Sequence, residues 1–585
     1  MSQKLTDQAT EAPFKDIIES DQIYEIPYFQ RGYKWKGTEK TELMQDIDQI
    51  LQGEEPVHFL GTIILYKKQT GATEINMFEI IDGQQRLTTL YLLCLAIVNI
   101  YIRNKQYDEA SYSLETLIVL KKKRKNASNL KLWPGRADRR QFNDLHRKIW
   151  GHKGFHNHIK DIELELLPDS GNESGNISKM HALLVTSIHQ YYILDDGFNK
   201  VKNIFSIIFN DLRFINILVN EASNSTKFFE RMNARGIKVT TGELVRNEIF
   251  SRVVTADPTE ADKLYDNHWL PFYQEFDKSH GDEANVFDDF LFVFTLIKDP
   301  TYTKSRVFEY LRNRWKGKNP VTIIEDMEKY QNIYLQLRRD SDNNVPQNIL
   351  GMPKGIYKCI TRYIRANSPT TTLPFVVNLI FNFIDEKIDQ KNVEGIFIAI
   401  DSYLVKRSVM GIEPTGLHAI FKDLWKRMKV KSIEDAVSRI RNAKTMVWPT
   451  GEEFTKALQD KPLYGTKISK YLIGEYDISL KGDDPGEDFE IEHILPQKLN
   501  NQWNQFTEDE HKKYVDLFAN LLPITKELNK SIQNYSYEKK RERYQKDSKY
   551  KSCRELGKKH EEWTVDKIID RQKTLLKWAV ERWPY

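Results

Sequence analysis

The sequence is poor in cysteine. Its 585 residues include only Cys94, Cys359 and Cys553, which are far apart, odd in number and in no metal-ligand spacing. This usage is typical of a reducing cytosol and argues against a disulfide framework or a zinc finger. We therefore expect a cytoplasmic protein.

No secretory signal is visible in the sequence, and no hydrophobic run in it reaches membrane-spanning length. Its N-terminus has no basic segment followed by an apolar one. The most hydrophobic stretch, Leu87–Ile102, is 16 residues long and contains two threonines and an asparagine. A spanning helix needs about 20 apolar residues, so this stretch predicts a buried core helix and no membrane partner.

No charge of one sign dominates the composition. The formal net charge of +4 is too small to indicate nucleic-acid binding by itself. Residues 121–153 are nevertheless basic, and this segment is either a DNA-binding surface or a solvated face. Its cations are "KKKRK" at 121–125 and then Lys131, Arg136, Arg139, Arg140, Arg147, Lys148 and Lys153.

The length and the local patterns predict a multidomain α+β protein. The apolar runs at 58–66 and 77–82 flank a polar turn and predict an antiparallel hairpin, and "LRFINILVN" at 212–220 predicts a further strand. Helical periodicity then dominates from about residue 251. We place domain boundaries at 1–250, 251–440 (a helical connector) and 441–585.

The first candidate site is the stretch "IIDGQQRLTTL", residues 80–90, where a strand passes through Asp82 and Gly83 into a helix. The free N–H groups and positive dipole end of a helix N-terminus favour an anion such as phosphate. Arg86 could grip a phosphate, Gln84 and Gln85 could donate to phosphate or ribose, and Asp82 could hold water, a metal or the arginine. The alternative is a plain strand–turn–helix in which Asp82 caps the helix and pairs with Arg86. No Walker A loop occurs in the sequence.

Four blocks in this order resemble the DGQQR family, which is ParB- and sulfiredoxin-like and occurs in GmrSD-type restriction proteins. They are "IPYFQRGYKW" (26–35), "FLGTIIL" (59–65), "IIDGQQRLTTL" (80–90) and "FFERMNARGIKVTTGELVRNEIF" (228–250). The resemblance implies nucleotide binding or hydrolysis at the DGQQR turn, with Gln30, Arg31, Asn233 and Arg235 as companions. Within the last block, Thr240 and Glu243 have the spacing of a capping box, which is typical of an ordinary helix start.

The second candidate site is "EIEHILPQ", residues 490–497, followed by "FANLLPITKELNKSIQNYSYEKK" at 518–540. Together they resemble the HNH, or ββα-metal, nuclease motif in the version that accompanies DGQQR domains. The pattern of E-H-I-x-P-Q, a tryptophan, N-L, a later asparagine and a basic residue is complete, with Trp503 as the tryptophan. Ala519 replaces the usual glycine, which puts the turn geometry in doubt, and Glu492 stands where aspartate is more common.

Phosphodiester hydrolysis explains why these residue types are needed. An imidazole of near-neutral pKa suits the activation of water, so His493 is the predicted base. Oxygen ligands suit Mg²⁺ or Mn²⁺, and we assign Glu492 and Asn529 to that cation. Asn520 is expected to fix the loop and orient His493.

Several residues near this motif have competing interpretations. Lys539 or Lys540 could neutralise the cleaved phosphate. His511 and His560 are expected to be exposed surface residues. The segment "QNYSYEKKRERYQKDSKYKS" predicts either a nucleic-acid surface or an amphipathic helix whose tyrosines pack inward.

The two resemblances together imply a single-chain GmrSD-like restriction enzyme with a nucleotide-binding sensor domain and an HNH-type nuclease domain. The expected function is nucleotide-stimulated, metal-dependent cleavage of double-stranded phage DNA with modified bases such as glucosylated hydroxymethylcytosine. The nucleotide could be GTP, ATP, UTP or CTP, and a homodimer would fit double-strand cleavage. The alternatives are a phosphorothioate-sensing nickase with NTPase activity, a nucleotide-dependent DNA-binding switch with a vestigial nuclease centre, and an RNA-directed toxin.

Overall fold

The chain divides into two compact units, unit 1 (Met1–Tyr273 and Trp315–Val321) and unit 2 (Gln274–Arg314 and Thr322–Tyr585). Helices predominate around a mixed six-stranded sheet and a separate two-stranded sheet, so the fold is α+β and multidomain, as predicted. The computed structural model describes residues 8–27, 30–68, 75–121, 128–219, 240–254, 258–277, 283–338, 351–366, 370–413, 415–426, 429–443, 447–481 and 489–585.

A six-stranded mixed sheet forms the centre of unit 1, in the order β1-β6-β3-β4-β2-β5. The predicted hairpin is confirmed, because β3 and β4 pair antiparallel. The predicted strand at 212–219 is also confirmed as β6, which lies parallel to β3 and antiparallel to β1. The strands are β1 Gln8–Pro13, β2 Ile23–Glu25, β3 His58–Lys67, β4 Met77–Asp82, β5 Leu132–Trp133 and β6 Leu212–Val219.

The α-helices of the described residues follow the predicted pattern, with a long helical stretch after residue 251. In chain order they are α1 Phe14–Ile18, α2 Gly37–Leu51, α3 Gln84–Arg103, α4 Tyr107–Ser113, α5 Arg139–Trp150, α6 Asn176–Tyr192, α7 Gly197–Asn210, α8 Thr241–Val254, α9 Pro258–Leu264, α10 Leu270–Asp277, α11 Glu283–Lys298, α12 Val307–Arg314, α13 Pro320–Leu337, α14 Lys354–Arg365, α15 Leu373–Ile384, α16 Gln390–Val409, α17 Leu417–Leu424, α18 Ile433–Arg441, α19 Gly451–Asp460, α20 Ser469–Ser479, α21 Glu508–Tyr514, α22 Lys526–Ile532, α23 Tyr537–Asp547, α24 Lys551–Lys559 and α25 Val565–Arg582.

Helix α3 is the core helix of unit 1. Its residues 87–98 and 100–102 are all buried, which confirms the prediction of a core helix made from the apolar run. By length and composition alone α3 could cross a membrane, but 89% of its most apolar window is buried inside the protein. A helix that is apolar all round and enclosed on every side is typical of a domain core.

The described part of the basic segment 121–153 is largely held by the protein's own oxygens. Lys131 is fully buried and donates to the carbonyl oxygens of Ile18 (2.7 Å) and Thr116 (2.6 Å), and burial lowers its pKa to about 8. Arg136 is 5% exposed and pairs with Asp262 and Asp266. These contacts favour structural roles for both cations. Residues 122–127 lie outside the described residues.

Unit 2 contains a second, two-stranded sheet. Strand β7 (Glu490–His493) pairs antiparallel with β8 (Leu521–Ile524), and His493 lies opposite Leu521. Helix α22 follows β8 directly, because the Thr525 side chain accepts from the Leu528 N–H and caps its start. The β–β–α order brings three distant parts of the second motif together around one apolar core that includes the buried Trp503 and Trp563.

Candidate functional site

The DGQQR turn requires glycine at its centre. Gly83 has φ +91°, a left-handed conformation, and a Cβ there would lie 3.0 Å from Ile63 Cγ1 and 3.2 Å from the Thr62 carbonyl oxygen. Gly83 is the N-cap of α3, and no side chain caps this helix end. The alternative in which Asp82 caps the helix is therefore wrong. The uncapped N–H groups of the first turn suit an anion.

Arg86 lies on this first turn and is held from two sides. Its Nη1 donates to the Leu60 carbonyl oxygen at 3.0 Å, and its Nη2 lies 3.5 Å from Asp82 Oδ2. The predicted Asp82–Arg86 pair is therefore present. Gly61 leaves room for the guanidinium, because a Cβ there would overlap Arg86 Nη1. Arg86 retains 23% side-chain exposure, so part of the group still faces solvent.

The two glutamines of the turn bind the neighbouring segment 30–34. Gln84 Nε2 donates to the Arg31 carbonyl oxygen at 3.1 Å. Gln85 Oε1 accepts from the Lys34 N–H at 2.8 Å, and its Nε2 donates to the Gly32 carbonyl oxygen at 3.3 Å. These amides therefore fix the backbone of the first signature block against the third.

Gln30 and Arg31, two further residues of segment 30–34, make contacts of their own. Gln30 Nε2 donates to the Ile81 carbonyl oxygen at 2.7 Å, which ties the same segment to the end of β4. Arg31 has 49% side-chain exposure, and its Nε lies 3.7 Å from Glu243 Oε1. Gln84 Oε1 is buried and has no hydrogen-bond partner, so the site retains one unsatisfied acceptor.

The start of α8 confirms the predicted capping box. The Thr240 N–H donates to Glu243 Oε2 at 3.0 Å, and the Glu243 N–H donates to Thr240 Oγ1 at 3.2 Å. Asn233 and Arg235, the other predicted companions of the turn, lie outside the described residues.

In unit 2, His493 ends strand β7 and is held by an acid that sequence reasoning missed. Its Nε2 donates to Asp516 Oδ1 at 3.0 Å, and its ring lies edge-on to the Tyr464 ring with centroids 4.3 Å apart. Burial lowers the pKa of His493 below its ordinary value, and the Asp516 carboxylate opposes part of that shift. The imidazole is therefore neutral near pH 7. Because Nε2 carries the proton, the lone pair is on Nδ1.

Asn520 holds the loop that follows His493. It is fully buried, its Oδ1 accepts from the Leu495 N–H at 2.8 Å, and its Nδ2 donates to the carbonyl oxygens of Leu495 (2.9 Å) and Val515 (2.7 Å). The Ile494 N–H donates to the Asn520 carbonyl oxygen at 3.0 Å. These bonds fix both the segment after His493 and the segment that carries Asp516.

Lys540, one of the two lysines predicted to neutralise the cleaved phosphate, is buried inside unit 2. Its side chain is 1% exposed, and Nζ donates to Glu492 Oε1 (2.7 Å), the His493 carbonyl oxygen (2.7 Å) and the Ile494 carbonyl oxygen (3.3 Å). All three N–H groups of the ammonium are thus used within the protein, and burial lowers its pKa. Lys539, its neighbour on α23, is exposed and lies over the Tyr535 ring.

Glu492 and Asn529, the predicted metal ligands, have different hydrogen-bond partners. Glu492 is 4% exposed, and its Oε1 accepts from both Lys540 and the Tyr544 hydroxyl, each at 2.7 Å. Asn529 Nδ2 donates to Glu490 Oε2 at 2.6 Å. Glu490 is a second carboxylate that sequence reasoning missed. Its signal was present, because residues two apart on a strand share a face.

The oxygen donors suit a hard divalent cation. Glu490 and Asn529 line one cavity, and the hydrogen bond from Asn529 Nδ2 to Glu490 leaves Asn529 Oδ1 available. Glu492 is not part of that lining, and its Oε1 accepts from Lys540 and Tyr544. Among the described residues, no group of three His, Cys, Asp or Glu side chains could hold a metal. Mg²⁺ commonly keeps several waters and takes only one or two carboxylates from the protein, so this small set fits.

The other histidines and the tyrosine-rich segment differ in part from expectation. His560 was predicted to be exposed but is 4% exposed, and His511 is half-buried, with its Nε2 2.8 Å from the Pro496 carbonyl oxygen. In α23, Tyr537 and Tyr544 are buried, so the inward-packing interpretation of this helix is confirmed.

Unit 1 therefore contains a helix N-terminus that carries Arg86, and unit 2 contains a histidine–carboxylate pair formed by His493 and Asp516. A family profile described as the N-terminal domain of GmrSD restriction endonuclease matches residues 14–250, and one described as the C-terminal domain of GmrSD restriction endonucleases matches residues 448–578. Together they cover well over half of the chain, in the family's order. A comparison with curated proteins found no match. The chain belongs to the GmrSD restriction endonuclease family, and its substrate is DNA.

Proposed function

We propose that this restriction endonuclease cuts modified phage DNA in the cytoplasm with an HNH-type centre in unit 2, under the control of a nucleotide bound at the DGQQR turn of unit 1. The observation that carries the proposal is the His493–Asp516 bond at the end of β7, beside a cavity wall made by Glu490 and Asn529. A neutral imidazole and hard oxygen donors, carried by β7 and α22, are the groups that phosphodiester hydrolysis needs.

His493 is the general base of this proposal. Asp516 accepts a hydrogen bond from the Nε2–H group and so keeps the lone pair on Nδ1, where it can take a proton from the attacking water. Asn520 and Lys540 act as positioning residues, because both bind the backbone that immediately follows His493. Lys539 is exposed and supplies a positive charge that can approach the substrate backbone.

Asn529, with Glu490 or Glu492, would hold Mg²⁺ or Mn²⁺. When bound, this cation would act as a Lewis acid that stabilises charge on the phosphate and on the leaving oxygen. The protein's own part is to present hard oxygen donors on β7 and α22. Thr525 fixes the start of α22 and thereby sets the position of Asn529.

Nucleotide binding in unit 1 is supported by the form of the DGQQR turn. The uncapped start of α3, the partly exposed Arg86 and the half-exposed Arg31 together offer N–H groups and positive charge for a triphosphate. Gln30, Gln84 and Gln85 shape this site by fixing segment 30–34. We propose glucosylated hydroxymethylcytosine as the modified base that the enzyme recognises. A homodimer would place two nuclease centres on one duplex.

The test is cleavage of matched phage DNAs that are unmodified, glucosyl-hydroxymethylated or phosphorothioated. Each is incubated with Mg²⁺ or Mn²⁺ and with no nucleotide, ATP, GTP, CTP or UTP, while phosphate release is measured in parallel. We expect cleavage of the glucosylated DNA, stimulated by at least one nucleotide and abolished by EDTA. Cutting confined to phosphorothioated DNA would favour the nickase alternative. Absence of cleavage on all three DNAs would contradict the nuclease proposal.

We expect Asp516→Asn to lower kcat by about ten- to a hundred-fold with little change in KM, because the imidazole loses the partner that fixes its tautomer. The Asp516 carboxylate raises the pKa of His493, so its removal lowers that pKa. A base works only when unprotonated, so the acid limb of the rate–pH profile should move to lower pH. Asp516→Glu should recover part of kcat. If Asp516→Asn lowers kcat without moving the acid limb of the rate–pH profile, and Asp516→Glu recovers no activity, then Asp516 does not orient His493.

A further inference from the structure

A cavity of about 510 Å³ lies in unit 2 beside strand β7, and the proposed nuclease function accounts for only one part of its wall. Glu490 and Asn529 form one part of its wall, and residues 464–470 form another. Ligand pockets commonly have volumes of about 300 to 1,000 Å³, so the cavity has room for a group the size of one nucleotide.

The segment 464–470 gives the cavity positive charge. Lys467 and Lys470 are both exposed and both line it. Helix α20 begins at Ser469, so the positive end of its dipole lies in the same wall and reinforces the two ammonium groups. The carboxylates of Glu475 and Glu490 also line the cavity, and Glu475 is already paired with Arg362 and Arg582. The part of the wall formed by the two lysines therefore favours a phosphate more than a neutral ligand.

Tyr464 connects the cavity to the proposed catalytic base. It lines the cavity, its side chain is 41% exposed, and its ring contacts the His493 ring with centroids 4.3 Å apart. An exposed aromatic ring beside cationic groups is the combination by which proteins bind an unpaired stretch of a nucleic acid strand. A ligand at Tyr464 would therefore lie next to the linkage that is attacked by the water activated at His493.

We propose that this cavity is a nucleotide subsite for the cleaved strand. It takes the nucleotide adjacent to the cleaved linkage after that nucleotide has turned out of the duplex, with the phosphate at Lys467 and Lys470 and the unpaired base against Tyr464. The inference rests on the proposed nuclease function, since it requires DNA at His493. The subsite would add affinity for DNA from residues outside the motif, in a segment that precedes β7 by about 20 residues.

The test measures DNA binding by the full chain in a His493→Gln background, which stops cleavage and keeps side-chain bulk beside Tyr464. The probes are short fluorescein-labelled duplexes, unmodified or carrying glucosylated hydroxymethylcytosine, followed by anisotropy over a range of salt. Lys467→Ala and Lys470→Ala should each weaken binding several-fold and reduce the slope of log K against log salt by about 1. Tyr464→Ala should weaken it by roughly ten-fold with the slope unchanged, and Tyr464→Phe by less.

Lys577→Ala is the matched control, because Lys577 is an exposed lysine of α25 that does not line the cavity. If Lys467→Ala and Lys470→Ala bind with the affinity and salt slope of Lys577→Ala while the unsubstituted chain cuts DNA, the subsite is overturned and the nuclease proposal stands. If the unsubstituted chain cuts no DNA, the nuclease proposal fails, and the subsite fails with it.

Discussion

His493→Ala is expected to lower the cleavage rate by about 100- to 10,000-fold, the contribution typical of a positioned general base. The effect should fall on kcat, because the imidazole acts on water and makes no contribution to DNA affinity in this mechanism. His493 is 7% exposed, and its Nε2 donates to Asp516 Oδ1. The measurement is single-turnover cleavage of the phage DNA that the unsubstituted enzyme cuts best.

His418→Ala is the control for this substitution. His418 is an exposed histidine of α17, so its removal should leave both stability and cleavage close to those of the unsubstituted chain. Thermal unfolding of both variants separates lost chemistry from lost folding. A His493→Ala protein that is folded and cuts within a few-fold of the normal rate would remove His493 from the mechanism.

Lys540→Met is expected to destabilise unit 2 by about 3–5 kcal/mol, because it leaves the Glu492 carboxylate buried without its ammonium partner. Lys540 and Glu492 have 1% and 5% side-chain exposure and are 2.7 Å apart. The loss should appear in urea unfolding followed by tryptophan fluorescence, since Trp503 and Trp563 are buried in the same core. Cleavage should fall in parallel, because Lys540 also binds the His493 backbone.

Lys539→Met provides a matched control from the adjacent position. Lys539 is exposed, so its substitution should change the free energy of unfolding by less than about 0.5 kcal/mol. The double variant Glu492→Gln with Lys540→Met should be more stable than the sum of the single losses predicts, because it removes the unpaired charge. Equal stability of Lys539→Met and Lys540→Met would show that the buried pair contributes little.

Much of the local structure was predictable because it depends on short-range patterns. The β3–β4 hairpin, strand β6, the core helix α3 and the Thr240–Glu243 capping box each follow from the order of apolar and polar residues over a few positions. The motif at 490–497 was also visible, because its residues are close in sequence.

The residues that surround this motif were less predictable. Glu490 could have been found from strand periodicity, since it shares a face with Glu492. Asp516 gave no such signal, because it lies 23 residues from His493 in an irregular segment. His560 lies in a stretch rich in charged residues, yet the fold buries it against Trp563.

The sequence by itself determined the family, the order of the two signature regions and the identity of His493 as the candidate base. These depend on residue types at fixed short spacings. Only the tertiary structure decided that Asp516 orients the histidine, that Glu490 contacts Asn529, and that Lys540 is buried while Lys539 is exposed. The reason is physical. Lys540 and Glu492 are 48 residues apart, and whether two such charges meet depends on how α23 packs against β7, which no local pattern encodes.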